Sequence, residues 1–265
     1  KVNTPDKAFD YMINGWYLYQ AYTSRLLARA GVYQVGGATG FRDQLQDSMG
    51  VIYSEPELTR RQILEHARHQ FKEGDVLHWW HKENQFGVRT KFTDDYLWLV
   101  YVTFEYLKIT QDYSILNEEV CFATGPELEK NEVEKGISYS FSEEKDTLYN
   151  HLKLCIEKAL NQFGRHQLPL MGCGDWNDGM NRVGYKGEGE SVFVGFFLYD
   201  VLGKMANISQ KQDDNEFASK CREKREALGN TLNINAWDGA WYLRAYFDNG
   251  DPLGSRNNLE CQIDL

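Results

Sequence analysis

The chain has 265 residues, a length that suits one large domain with a substantial buried core. Its net charge of −10 repels nucleic acid and anionic membrane surfaces, so we expect neither as a partner. Five cysteines, an odd number with no CxxC pair, are typical of reduced thiols in the cytoplasm rather than of a disulfide framework. The longest apolar stretch, at 96–107, is shorter than the ~20 residues of a membrane-spanning helix. We therefore expect no membrane insertion.

Two amphipathic helices are predicted in the amino-terminal part of the chain. The first begins at Thr4–Asp6, with Pro5 in its first turn, and ends at Gly31. The second begins with Ser54 and Glu57 at the spacing of a capping box and continues to Phe71. The apolar stripe of the first helix consists of Phe9, Ile13, Trp16, Tyr19, Leu26 and Ala30.

Four further helices and one hairpin follow. The helices are predicted from near Thr93 onward and over 148–163, 191–206 and 214–232. The segment 191–206 is apolar on nearly all sides, as a buried inner helix is, whereas 214–232 is amphipathic. Only the segment 240–254, with its Asn249–Gly250 turn, is typical of a β-hairpin. The sequence therefore predicts an all-α fold in which apolar and amphipathic helices alternate.

Three loops rich in glycine and charge connect these helices, at 36–47, 73–95 and 170–191. We expect them to converge on one pocket, because each adjoins an inner helix. Trp79, Trp80 and Trp176 lie in these loops near Asp, Arg and Asn side chains. Aromatic rings that stack on sugar faces, beside polar groups that pair with hydroxyls, are typical of a carbohydrate site. The alternative is that these rings only close the loops against the core.

Five segments together carry a more specific pattern. They are FRDQLQD at 41–47, EGDVLHWWH at 73–81, GVRTKFTDD at 87–95, GDWNDGMNRVG at 174–184 and GEGES at 187–191. In order and spacing the chain resembles glycoside hydrolase family 94, the inverting β-glucoside phosphorylases, from about Thr4 to Asp264. Within the family it is similar above all to the branch that contains the catalytic domain of cyclic β-1,2-glucan synthases and the 1,2-β-oligoglucan phosphorylases. The resemblance implies an (α/α)6 barrel with six inner and six outer helices.

The resemblance also implies a reaction and the residues that perform it. Asp178 stands at the position of the family's general acid, and Trp176 at the position that lines the donor-sugar subsite. Arg89 and Asp95 stand where the family holds the hydroxyls of that sugar. The acid protonates the departing oxygen while inorganic phosphate attacks the anomeric carbon from the opposite face, which yields α-glucose 1-phosphate. The implied partners are a β-glucan oligosaccharide and phosphate, with no cofactor and no protein base.

Other polar residues of the loops leave alternatives open. Asn177, Arg42 and Asp43 are expected to bind substrate, because sugar hydroxyls pair with such groups. Arg42, Asp43 and Asp47 can instead form an ion-pair network that stabilises their loop. The residues alone do not decide between the two.

Further residues near the proposed acid favour structural roles. Asp175 is expected to cap a helix or to orient the tryptophan that follows it. His78 and His81 have a spacing that could serve a metal, but no further His or Cys lies nearby in the sequence, so we expect no metal site. Glu190 and Ser191 are expected to start the next helix.

Two other functions remain alternatives. An inverting hydrolase on the same barrel would need a second carboxylate ~6.5–9.5 Å from the acid to activate water, and Asp43, Asp47 and Asp95 are candidates. A non-catalytic carbohydrate-binding fragment is the second alternative. Phosphate dependence of sugar release separates the phosphorylase from both.

The resemblance also bears on domain organisation. Residues 1–265 correspond to the amino-terminal two thirds of the barrel, without the β-sandwich domains that are usual in the family. The family's phosphate-binding residues, a histidine and a Thr-Gly pair, follow the segment ECQID. We therefore expect the isolated chain to bind sugar without turning it over. We also expect it to pack against a second copy or against the rest of a longer chain, which can be a membrane-associated enzyme with this part in the cytoplasm.

Overall fold

Eight α-helices carry the fold in the part of the chain that the computed structural model describes, residues 1–27 and 37–263. They are α1 (Lys7–Tyr11), α2 (Tyr17–Gln20), α3 (Phe41–Ser48), α4 (Pro56–Ala67), α5 (Asp95–Thr110), α6 (Leu148–Leu160), α7 (Val192–Lys211) and α8 (Asn215–Asn235). The four helices predicted from Thr93 onward are confirmed as α5 to α8. Their boundaries lie within a few residues of the predicted ones at most ends.

The first predicted helix begins at Lys7, later than expected. Asp6 is its N-cap, since its carboxylate accepts hydrogen bonds from two backbone N–H groups of the first turn. Pro5 therefore precedes the helix instead of lying within its first turn. The predicted end of this helix, at Ala30 and Gly31, lies outside the described residues.

Wide turns interrupt the first helix and its aromatic stripe is exposed. The turns at Met12–Trp16 and Ala21–Leu26 are of the π type. Trp16 is 51% and Tyr19 is 58% exposed, and their rings stack on each other at 5.6 Å. The aromatic members of the stripe therefore do not pack into the core, whereas Leu26, near the end of the described part of the helix, is buried.

The capping box predicted for α4 is wrong, although the helix itself is confirmed. Glu55 is the N-cap and makes no side-chain capping bond, and Pro56 is the first helical residue. Ser54 Oγ instead donates to the carbonyl of Val51 in the preceding turn, at 3.1 Å. Because Ser54 lies one residue before the cap, its hydroxyl serves that turn rather than the helix.

The core is centred on α5 and α7. α5 packs against α3, α4, α6 and α7. Leu97, Leu99 and Val100 of α5 are fully buried, so more than one face of this helix is inside. α7 is the one helix among residues 1–27 and 37–263 long and apolar enough to cross a membrane, and 61% of its apolar window is buried in the fold, as in a core helix. α8 is amphipathic, as predicted, and covers α7.

Three small sheets contradict the expectation of an all-α chain. The strands are β1 (Thr39–Gly40), β2 (Leu77–His81), β3 (Phe86–Thr90), β4 (Glu119–Thr124), β5 (Glu134–Ser138), β6 (Ser140–Thr147), β7 (Glu190–Ser191), β8 (Ala245–Tyr246) and β9 (Pro252–Leu253). The sheets have the orders β1-β2-β3-β5, β4-β6 and β7-β8-β9, with antiparallel neighbours. These strands are short, and a helical period was the stronger signal around them.

The predicted loop at 73–95 is for the most part the hairpin β2–β3. Trp80 is therefore a strand residue, fully buried and stacked on His69 at 3.9 Å. Trp80 packs against the core, which agrees with the alternative that the loop tryptophans only close the loops against the core. The carboxy-terminal hairpin is confirmed as β8–β9, with Gly250 at φ 90° in its turn.

Candidate active site

A cavity of about 450 Å³ opens beside Asp178. Its walls come from the β2–β3 hairpin, from Phe92 before α5, and from the loop at 173–185. The lining residues are His78, Trp79, Val88, Phe92, Val133, Glu134, Cys173, Asp178, Asn181, Arg182 and Tyr185. Burial raises the pKa of the Cys173 thiol to about 12, so this group is neutral at physiological pH. The predicted loops at 73–95 and 170–191 thus meet at one cavity.

Two glycines let the loop at 170–191 lie close against the chain that precedes α5. Gly172 has φ 61°, and a Cβ there would lie 1.9 Å from the carbonyl oxygen of Lys91. A Cβ at Gly174 would lie 2.4 Å from the ring of Phe92. Thr93 N–H donates to the carbonyl of Gly174 at 3.4 Å. The glycines therefore allow the backbone of this loop to lie close against Lys91 and Phe92.

Asp175 anchors this loop from inside the fold. Its carboxylate is fully buried and accepts two hydrogen bonds from Arg244, both at 2.7 Å. It also accepts from Ser191 Oγ at 2.6 Å and from the N–H of Asn177 at 3.0 Å. Ser191 is the N-cap of α7, because its Oγ accepts from the N–H of Val194. Asp175 therefore has the structural position expected of it, although it holds the cap residue instead of being one.

The charge around Asp178 is supplied by Arg42 of α3. Arg42 Nη2 donates to Asp178 Oδ1 at 2.6 Å, and Nη1 donates to both carboxylate oxygens of Asp94 and to the carbonyl of Asp175. The side chain of Arg42 is 6% exposed, that of Asp94 is fully buried and that of Asp178 is 60% exposed. Arg42 thus forms ion pairs, but with Asp94 and Asp178 rather than with the expected Asp43 and Asp47 of its own loop, and Asp47 pairs with Arg25.

Asp94 is the buried end of this network. It lies one residue before α5 and also accepts from the indole N–H of Trp98 at 3.1 Å. Burial, and then the charge of the adjacent Asp95, raise the pKa of Asp94 to about 7, against the lowering effects of Arg42 and Trp98. Arg42 therefore faces a carboxyl that gains and loses its proton near neutral pH.

A second pair, His78 and Asp95, lies behind the same wall. His78 Nδ1 is 2.7 Å from Asp95 Oδ2, and its ring stacks on Phe92 at 4.3 Å. Burial lowers the pKa of His78, but the charge of Asp95 and its hydrogen bond raise it more, and the net direction is upward. Asp95 is 1% exposed, and its Oδ1 is buried with no hydrogen-bond partner within residues 1–27 and 37–263. Asp95 therefore reaches the cavity through His78.

Trp176 and Asn177 directly precede Asp178 in the chain, but they do not line its cavity. Trp176 is 52% exposed, and its indole N–H donates to Gln46 Oε1 of α3 at 3.2 Å. Asn177 is exposed, with its Oδ1 accepting from the N–H of Gly179 at 2.9 Å. Because Trp176 is itself half exposed, it does not bury Asp178. The ring is available to stack on a ligand.

Two predicted substrate residues are not brought to Asp178. Arg89 points away from the cavity that its neighbour Val88 lines, and it pairs with Asp75 at 2.6 Å and with Glu73 at 2.9 Å. It lines a separate cavity of about 400 Å³. Asp43 is exposed on α3 and does not line the Asp178 cavity. The alternation of side chains along β3 explains the position of Arg89.

Several residues of the cavity were missed by sequence reasoning or considered only in another role. His78 was considered only as a metal ligand, and no three His, Cys, Asp or Glu side chains of the described ranges form a metal site. Glu134, Arg182 and Tyr185 carried no local motif of their own. The adjacent acids Asp94 and Asp95 at a helix start were the available signal for a charged network.

The comparison with protein families agrees with the motifs quoted above. Residues 1–265 match the family model of the glycosyl hydrolase 94 superfamily, catalytic domain. The chain belongs to the glycosyl hydrolase 94 superfamily. The catalytic domain of this superfamily is of the helical barrel type, which agrees with the predominance of helices here. The resemblance drawn from the five sequence segments is confirmed.

Individual relatives within the superfamily are glycosyl-transferring enzymes. The chain is 43% identical over 264 residues to cyclic beta-(1,2)-glucan synthase NdvB of Rhizobium meliloti (strain 1021). The matched region covers 100% of this chain and 9% of that protein. It is 31% identical over 265 residues to solabiose phosphorylase of Paenibacillus borealis, with 100% and 31% covered. It is 28% identical over 299 residues to N,N'-diacetylchitobiose phosphorylase of Vibrio proteolyticus, with 100% and 34% covered. The chain thus spans about a third or less of the length of these relatives.

Proposed function

We propose that this chain carries the general acid and sugar contacts of a β-glucoside phosphorylase, on part of an (α/α)6 barrel. The proposed reaction is the reversible, inverting phosphorolysis of a β-1,2-glucan to α-glucose 1-phosphate. The observation that carries the proposal is the exposed carboxyl of Asp178 at the wall of a cavity, paired with Arg42 at 2.6 Å. The 43% identity to a cyclic beta-(1,2)-glucan synthase supports the linkage. The burial of α5 and α7 behind amphipathic α8 supports the barrel.

The geometry suits an acid that works in both directions. In phosphorolysis Asp178 gives its proton to the glycosidic oxygen while the bond from that oxygen to the anomeric carbon breaks, and phosphate forms the new bond on the opposite face. In synthesis the same carboxylate takes the proton of the acceptor hydroxyl. Arg42 holds the Asp178 side chain in place through their hydrogen bond. Because Arg42 also serves Asp94, its charge is shared between the two acids.

The half-exposed ring of Trp176 supplies the stacking surface of the proposed sugar site. A sugar placed on this ring would have the polar groups of Asn177 and Asp178 next to it in the same turn of the chain. Arg89 and Asp43 remain predicted substrate residues. In this structure Arg89 forms an ion pair with Asp75, which favours a structural role. Asp43 does not line the Asp178 cavity.

Leaving-group chemistry tests the acid assignment. A sugar alkoxide leaves poorly without a proton, whereas fluoride needs far less protonation, so loss of the acid should cost ~10²–10⁴-fold on the oligoglucan only. We expect Asp178→Asn in the complete gene product that carries this sequence to lose phosphorolysis of β-1,2-oligoglucan. It should keep a much larger fraction of its phosphate-dependent rate on β-glucosyl fluoride. Equal losses on both substrates, in a folded protein, would remove the assignment.

A matched variant separates phosphorolysis from hydrolysis. Glu134 lines the Asp178 cavity and is the carboxylate available there to activate water, whereas Asp43 and Asp47 do not line it. If phosphate is the nucleophile, Glu134→Gln should keep most of the activity, and the wild type should release sugar only when phosphate is present. Sugar release without phosphate that Glu134→Gln abolishes would favour the inverting hydrolase.

A further inference from the structure

We infer that His78 contacts the sugar directly and that its Nε2 forms a hydrogen bond with one hydroxyl of the donor sugar, while Asp95 positions the ring from behind. This inference rests on the proposed function, since it names a further substrate contact of the same site. Neither the sequence motifs nor the family comparison assigns this role to His78. Three observations on the backbone, the hydrogen bonding and the surrounding charge carry it.

The backbone places His78 in the cavity by means of a β-bulge. Leu77 pairs with Arg89 and Trp79 pairs with Val88, so His78 is an extra residue on β2 with no partner on β3. In a regular strand consecutive side chains point to opposite faces. Here His78 and Trp79 both line the same cavity. Bulges of this kind redirect side chains and are frequent beside active sites.

The hydrogen bonding leaves one ring nitrogen for a ligand. His78 Nδ1 carries the proton toward Asp95, because a carboxylate only accepts. Stacking on Phe92, with planes 13° apart, holds the ring in place. Within residues 1–27 and 37–263 no protein group bonds to Nε2, although its ring is mostly buried. A polar nitrogen fixed in orientation at a cavity wall suits a polar ligand atom.

The surrounding charge favours a sugar hydroxyl over a phosphate oxygen as that atom. Asp95, Asp178 and Glu134 are carboxylates at or just behind the wall near His78, and they repel an oxyanion. Arg42 and Arg182 are the cations in the same region, and Arg42 is already paired with carboxylates. A hydroxyl both donates and accepts, so it pairs with Nε2 whether the ring is neutral or charged.

A set of deoxy donors tests the contact. In the synthetic direction, the complete gene product is given α-glucose 1-phosphate, or its 2-, 3-, 4- or 6-deoxy analogue, with a β-1,2-linked glucose disaccharide as acceptor. We expect His78→Ala to lower kcat/KM ~10–100-fold on the parent donor, as for a hydrogen bond lost in a buried site. On the one analogue that lacks the contacted hydroxyl, kcat/KM of His78→Ala should be lower than that of wild type by only about twofold or less.

Control variants exclude a general structural effect. His81→Ala removes a histidine of the same strand that does not line the cavity, and its kcat/KM should stay within about twofold of wild type. Asp95→Asn should lower kcat/KM in the wild-type background and add little in His78→Ala, because it acts through the ring. His78→Gln, which keeps a polar group of similar reach, covers the case in which His78→Ala fails to fold.

The outcomes separate this inference from the proposed function. If the wild type turns over α-glucose 1-phosphate but a folded His78→Ala loses the same factor on all five donors, or loses nothing, the sugar contact is overturned. If the wild type shows no turnover, calorimetric binding of the β-1,2-linked disaccharide replaces the rate, and unchanged affinity in His78→Ala overturns the contact. A wild type that neither turns over nor binds sugar removes the proposed function and the contact together.

Discussion

Replacing Asp94 by Asn should change how the stability of this protein depends on pH. Asp94 is fully buried, and its burial together with the adjacent charge of Asp95 raises its pKa from 3.8 to about 7. An acid whose pKa is raised in the folded state binds more protons there than in the unfolded state. Its contribution to stability is therefore complete below pH 4 and is lost as the pH rises through 7. Asn carries no such proton, so the variant lacks this dependence.

The magnitude follows from the two pKa values. A rise of about three units corresponds to about 4 kcal/mol over the whole titration, at about 1.4 kcal/mol per unit. A little over half of that change falls between pH 5 and pH 8, so the wild type should lose about 2–3 kcal/mol relative to the variant across this range. The charge interaction with Arg42 forms as Asp94 loses its proton, and its effect is already contained in the pKa of about 7.

Urea unfolding at pH 5, 6, 7 and 8 measures the effect as the difference in unfolding free energy between Asp94→Asn and wild type. The titration of all other groups cancels in this difference to first order. Gly50→Ala is the control, because neither residue titrates and a Cβ at position 50 meets open space, so it should give a flat difference. A difference for Asp94→Asn that stays constant within about 0.5 kcal/mol from pH 5 to 8 would refute the assignment of a buried, proton-binding Asp94.

Three other substitutions have expected outcomes. Trp176→Ala should weaken oligosaccharide binding by about 1–3 kcal/mol without loss of folding, because a half-exposed stacking ring is removed. Unchanged affinity by calorimetry would show that the ring has no role in binding. Gly174→Ala should destabilise the fold by about 1–3 kcal/mol in a urea titration, since its Cβ would lie 2.4 Å from Phe92, whereas Gly50→Ala, with open space at its Cβ, should cost much less. Asp175→Ala should cost about 3–5 kcal/mol, because it breaks the buried ion pair that the fully buried carboxylate of Asp175 forms with Arg244, and a melting temperature equal to that of wild type would contradict this.

The sequence by itself determined the features that depend on neighbouring residues. Helices α6 and α8 follow from apolar residues at helical spacing, and α5 and α7 from long apolar segments, over 13 to 21 residues each. The cap at Ser191 and the turn at Gly250 follow from side-chain and backbone preferences that act over two or three residues. The family, and with it the position of Asp178, follows from five quoted segments in order.

Local patterns failed where strands are short or where a surface has no partner. The strands β2 and β3 have five residues each, too few for a period of two to outweigh the aromatic and charged residues around them. The stripe of the first helix has the right period, but Trp16 and Tyr19 remain exposed because periodicity says which residues share a face and not what that face meets.

Only the tertiary structure decided how the candidate site is assembled. Arg42 and Asp178 are 136 residues apart in the chain and pair at 2.6 Å. One extra residue in β2 turns His78 into the cavity, and the alternation along β3 turns Arg89 away from it. Contacts between distant segments depend on strand register and on how helices pack, and these are set by the whole core at once. For that reason the position of the proposed acid could be predicted from its motif, whereas the charges and the imidazole around it could not.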